Sequence, residues 1–97
     1  MPYIPEDAKK EMKDHINDLS MWIQCKGDLN YVICELVGKF ISEDGDLTYT
    51  EISEKIDAVH DAEAELRRRI LEPFEDMKMK KNGDVPSFAI ILDQMKG

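Results

Sequence analysis

The chain lacks any long hydrophobic run. Its longest aliphatic stretch, Ala89 to Leu92, is far too short to cross a bilayer. The opening Met1-Pro2-Tyr3-Ile4-Pro5-Glu6-Asp7 has neither the basic nor the apolar region of a secretory leader, so a cytoplasmic protein without a membrane partner is expected. Positive charge is also scarce: 13 Lys and Arg stand against 21 Asp and Glu, a formal charge of -8. Such a surface repels phosphate and anionic lipid, so no direct nucleic-acid partner is expected. Cysteine is scarcer still. Cys25 and Cys34 form none of the CxxC or Cys/His arrangements that hold zinc, and both are expected as small buried or half-buried apolar side chains. His15 and His60 each stand alone in a predicted helix, where solvated or hydrogen-bonded structural roles suffice. No nucleophile elbow, glycine-rich phosphate loop or Ser/His/Asp arrangement is present, so no catalytic residue, cofactor or resident metal is expected.

What remains is helical. Ninety-seven residues suit one domain, 1–97, with residues 86–97 as a tail, and 42% hydrophobic residues are enough for a core. A chain this short buries a modest share of its surface, so self-association is an expected supplement. Gly27-Asp28-Leu29-Asn30-Tyr31 returns eighteen residues later as Gly45-Asp46-Leu47-Thr48-Tyr49, and each copy reads as a helix boundary. Glycine can close a helix in the left-handed conformation, and Asp, Asn or Thr can cap the next. The first helix opens after Pro5 with Glu6 and Asp7 at its positive end. It carries the stripe Met12, Ile16, Leu19, Ile23 and is expected to end at Gly27. The second begins near Asp28 as N-cap and buries Leu29, Val32, Ile33, Leu36, Val37 and Phe40, with Gly38 as a point of close helix approach, until Ser42 to Gly45 break it. Thr48-Tyr49-Thr50-Glu51 is a capping box and opens the third.

That third helix carries Ile52, Ile56, Val59, Glu63, Leu66 and Ile70 at alternating steps of four and three, a coiled-coil-like seam that continues through Phe74 and Met77. It is expected to run, kinked at Pro73, to Lys81 before Asn82-Gly83 stops it. Residues 49 to 81 would reach about 50 Å as one helix, against about 30 Å for the first helix. The excess needs cover, either by last turns folded back at Pro73 or by a second copy, and a homodimer is the preferred reading. Val85 to Leu92 is open between a short helix capped by Ser87 and an apolar strand, and its apolarity suggests docking on the bundle.

Glu63 occupies a seam position that calls for Ile or Leu. It is accounted for by pairing with Arg67 or rotation to the stripe's edge, or else by a polar contact that sets helix register or partner choice. Arg67-Arg68-Arg69 invites thoughts of phosphate. Yet Glu63 and Glu65 stand four residues ahead of Arg67 and Arg69, so internal ion pairs are the expectation. Lys78, Lys80 and Lys81 complement the negative end of their helix. Glu51 and Glu54, with Glu72, Glu75 and Asp76, faintly resemble the helical carboxylates with which all-α nucleotide pyrophosphohydrolases hold magnesium. Both groups lie on one helix, however, rather than on the facing helices of a cage.

Met1-Pro2-Tyr3-Ile4, Gly27 to Tyr31, Glu65-Leu66-Arg67-Arg68-Arg69, Pro73-Phe74-Glu75-Asp76 and Asn82-Gly83-Asp84-Val85 together resemble a family of small uncharacterised proteins of bacteria, archaea and their phages. The resemblance covers residues 1 to about 85, with Phe74 where that pattern usually has tyrosine and a longer tail here. It brings no activity with it. It does imply a polar cluster near Pro73, made of Glu65, Arg68, Arg69, Glu75 and Asp76, which with Glu63 forms the candidate interaction surface. The expected fold is all-α, a three-helix domain with a long, Pro-kinked third helix and a short C-terminal segment docking on it. The expected function is a non-enzymatic interaction or accessory module that dimerises and meets an unidentified protein partner. The alternative is a magnesium-dependent nucleotide pyrophosphohydrolase.

Overall fold

The computed structural model describes residues 2–45 and 47–97, and of Asp44 the backbone alone. Met1 of the opening segment and Asp46 of the second repeat copy therefore lie outside the described residues. The architecture is all-α: α1 Glu6–Ser20, α2 Lys26–Asp44, α3 Tyr49–Leu66, a π-helical segment Arg67–Leu71, α4 Glu72–Asn82 and α5 Pro86–Lys96. Helical residues thus run without interruption from Tyr49 to Asn82, as the long third helix required. Contacts divide the chain into two units, Met1–Ala62 and Glu63–Gly97.

In the first unit α1 opens after Pro5 with Glu6 and Asp7 in its first turn, where negative side chains suit the helix dipole. It ends at Ser20 and not at Gly27. The cause is local. The N–H groups of Met21, Trp22 and Ile23 donate to the carbonyls of Asp18, Leu19 and Ser20, three residues back, at 3.3, 3.0 and 3.2 Å, tightening the chain out of α geometry. The Ser20 hydroxyl meanwhile donates to the Asn17 carbonyl at 2.8 Å. The second helix starts at Lys26 with Cys25 as N-cap, so Gly27 lies inside its first turn and has no positive φ. Asp28 is not the N-cap. As the third helical residue, its carboxylate reaches back past the N-cap and accepts the Gln24 N–H at 3.0 Å.

In the second copy of the repeat Gly45 and Thr48 act at the helix ends, the capping box showing its threonine half. Gly45 takes the left-handed conformation, φ 74°, and closes α2. Thr48 then accepts the Glu51 N–H on its hydroxyl at 3.2 Å, and its carbonyl takes the Ile52 N–H at 3.0 Å. Thr48→Ala should lower stability by about 1 kcal/mol, read as a fall in melting temperature, with little change for Thr48→Ser. Gly38 marks no close approach, since an added Cβ there would meet nothing within 4 Å.

Burial departs most from expectation. No hydrophobic side chain among the described residues is buried. Val32 and Val37 of α2 and Ile52 and Val59 of α3 are half-buried, while Leu36, Phe40 and Ile56 are exposed. Cys25 and Cys34 are exposed free thiols rather than packed ones. The one buried residue among those described is charged: Lys55, 8% exposed, sets its ammonium 5.4 Å from the ring centre of Phe40. The charge there meets the negative face of the ring.

In the second unit the π segment lies immediately ahead of Pro73, and the Glu72 N–H reaches back five residues to the Arg67 carbonyl. Pro73 has no N–H for the Arg69 carbonyl and its ring crowds that oxygen, so a widened turn relieves both faults. Gly83, φ 88°, ends α4, its N–H donating to the Met79 carbonyl at 2.8 Å. The tail resolves to helix. It begins at Pro86, whose fixed φ suits a first helical residue, with Val85 rather than Ser87 as N-cap. Within its unit α5 packs on neither α4 nor the π segment. Its apolar side chains stay open: Phe88 is 56%, Ile91 50% and Leu92 52% exposed.

Candidate functional site

The sequence-derived cluster lies on the π segment and the turns beside it. Glu63 is not held inside anything: it is more than half exposed, and its carboxylate accepts the Arg67 Nε–H at 2.9 Å. That pairing, one helical turn apart, resolves its seam position in the simplest way. Glu65 meets Arg68, one residue short of the four-residue spacing. Arg68 Nε and one of its terminal nitrogens donate to the two Glu65 oxygens, both at 3.0 Å, a fork of parallel charge-assisted bonds. The single Nε contact with Glu63 leaves Arg67 less constrained than Arg68. Arg69 sits in the same π segment, and Glu72 and Glu75 occupy the first turn of α4 with Asp76 following. All are solvent-exposed except Glu65, which is half-buried. Pairs this open contribute a few tenths of a kcal/mol each, so they orient side chains more than they stabilise the helix.

Beside this polar stripe lies an apolar one. Glu63, Leu66, Arg67, Ile70, Leu71 and Phe74 line an open groove of about 410 Å³. Its floor is exposed to a degree unusual for such residues: Leu66 is 59%, Ile70 64% and Phe74 52% open. The seam reading found Leu66, Ile70 and Phe74 but passed over Leu71. Pro73 was the available signal, because a widened turn ahead of it brings an extra side chain onto the face. Lys78 sets its ammonium 5.6 Å from the Phe74 ring centre.

Among the described residues no three Asp, Glu, His or Cys side chains converge as metal ligands do. No helix of the described residues is long and apolar enough to cross a membrane. The arrangement offers a greasy groove with a salt-bridged rim, the makings of a contact surface with an apolar centre and polar edge.

No curated protein and no solved structure matches the chain. A family model does, over residues 1–85, stopping one residue before α5 begins. On that match, which takes in the groove and its rim but not the terminal helix, the chain belongs to the family described as a domain of unknown function, DUF6899.

Proposed function

We propose that the protein is a non-enzymatic interaction module whose working form is a homodimer. One observation carries the reading: 42% of the residues are hydrophobic, yet no hydrophobic side chain among those described is buried within the chain. A single chain left in that state forgoes the main favourable term in folding, since each large apolar side chain fully withdrawn from water contributes about 1.5–3 kcal/mol. Exposed apolar faces of this extent mark surfaces that meet other molecules. The second copy supplies the cover. The polar stripe of Glu63, Glu65, Arg68, Arg69, Glu75 and Asp76 then borders the junction and is the surface offered to an unidentified protein partner.

The test is mass in solution combined with melting at several concentrations. Two chains per particle are expected, with a melting temperature that climbs over an about hundredfold rise in protein concentration, because association stabilises only the folded form. A particle of one chain that melts cooperatively at a temperature independent of concentration would overturn the reading.

A further inference from the structure

We infer that α5 is the clasp of the homodimer, seated in the groove of the second copy along Leu66, Ile70 and Phe74; this rests on the dimeric reading above. Two apolar surfaces in the same unit lack cover. One is the groove floor; the other is the face of α5 formed by Phe88, Ile91, Leu92 and Met95, at helical steps of three, four and seven. The first three of these enclose a small apolar hollow of their own. Both surfaces are open to a half or more, and α5 packs on no other element of its unit.

Reach decides between its own groove and another's. The connection 83–85 is three residues long, the length of a tight turn between antiparallel helices. Folded back, α5 would run about 16 Å along α4, which also has 11 residues, and would finish near Glu72. It would lie over Met77 and the lysine-rich end and leave Leu66 and Ile70 bare. A second copy has no such limit. When two copies lie antiparallel and cross at Phe74, Asn82 of one stands opposite Leu66 of the other, each being eight residues from the crossing point. From there α5, turning back, passes over the other copy's Leu66, Ile70 and Phe74 in that order, which brings Ile91 level with Ile70. The relation is reciprocal, as two-fold symmetry requires.

The area is sufficient. Each half-exposed large side chain leaves roughly 100 Å² open, so three from the floor and three from α5 amount to about 600 Å² per copy and about 1,200 Å² in the pair. That reaches the lower bound of specific interfaces before Leu71, Met77 and Met95 are counted. The family match stops at residue 85, so the clasp lies outside the matched region.

The experiment is a cross-link between two full-length copies of different tag length in a Cys25→Ser, Cys34→Ser background, both native thiols being exposed. One copy carries Ile70→Cys and the other Ile91→Cys; the control replaces the latter with Asp93→Cys, on the far side of α5. Mild oxidation should join Ile70→Cys to Ile91→Cys between copies about tenfold or more over the control, as residues held side by side react at high effective concentration. A separate full-length Ile91→Glu chain should dissociate at least about tenfold more readily. A parent dimer that gives no preferential link and loses no affinity with Ile91→Glu overturns the clasp and leaves the dimer standing. A linked product within one doubly substituted chain instead of between chains also overturns it, in favour of self-docking. A monomeric parent overturns both.

Discussion

Ile70→Glu is expected to reduce the particle to one chain and to remove the concentration dependence of its melting. The strength of this test comes from where Ile70 lies. It is 64% exposed within the chain, so a glutamate there disturbs no packing, and a substitution at a surface site of an isolated molecule changes stability by less than about 0.5 kcal/mol. Glutamate is also a good helix former, which leaves the backbone content. Any large effect must therefore come from another molecule covering the position. In a two-fold dimer the loss occurs twice: each copy forfeits about 1.5–3 kcal/mol of apolar burial and adds a carboxylate that must be stripped of water without a partner. Total losses of several kcal/mol result, enough to separate the chains at micromolar concentration. Ile70→Leu keeps volume and apolarity and should retain the mass of two chains. Equal mass and melting for Ile70→Glu and the parent would show that the groove faces water in the working form.

Pro73→Ala tests the backbone that shapes the groove. Alanine restores an N–H and removes the ring from the Arg69 carbonyl, favouring a regular helix by about 3 kcal/mol in intrinsic propensity. The π segment Arg67–Leu71 should then close to α geometry. Closing one wide turn rotates the residues beyond it by about one residue's step, roughly 100°, so Phe74 and Lys78 turn out of line with Leu66 and the floor of the groove is skewed. Helix content should hold or rise while the dimer weakens by an order of magnitude or more, about 1.4 kcal/mol. The two readouts move in opposite directions, and circular dichroism with solution mass records both. If association were as tight in Pro73→Ala as in the parent, the wide turn would have no part in forming the contact surface.

Helix ends show how much was legible in advance. Gly45, Thr48 and Gly83 were readable because a left-handed glycine and a hydroxyl cap act on backbone groups within three or four residues, so sequence neighbours contain all the information. The boundary between α1 and α2 was not. Asp28 satisfies a nearby N–H equally well as N-cap or as third helical residue, and the choice turned on the tight bonds that Met21, Trp22 and Ile23 make just upstream. Similar letters at Gly27 and Gly45 thus took different conformations. The candidate site was half legible. The seam supplied Leu66, Ile70 and Phe74, and Glu63 met Arg67 as spacing suggested. The fork between Arg68 and Glu65 was not foreseen, because the four-residue spacing drew attention to Arg69 and not to the neighbour three residues on.

By itself, then, the order of residues determined that this protein is all-helical, where most of its helices open and close, and which side chains form one apolar line from Ile52 to Met77. These follow from propensity, capping and periodicity, which are local. Only the tertiary structure decided that no hydrophobic side chain of that line is buried, that Pro73 is met by a wide turn, and that α5 is a helix standing clear of the other elements of its unit. Periodicity records that a face avoids water, and it is silent on whose surface provides the shelter.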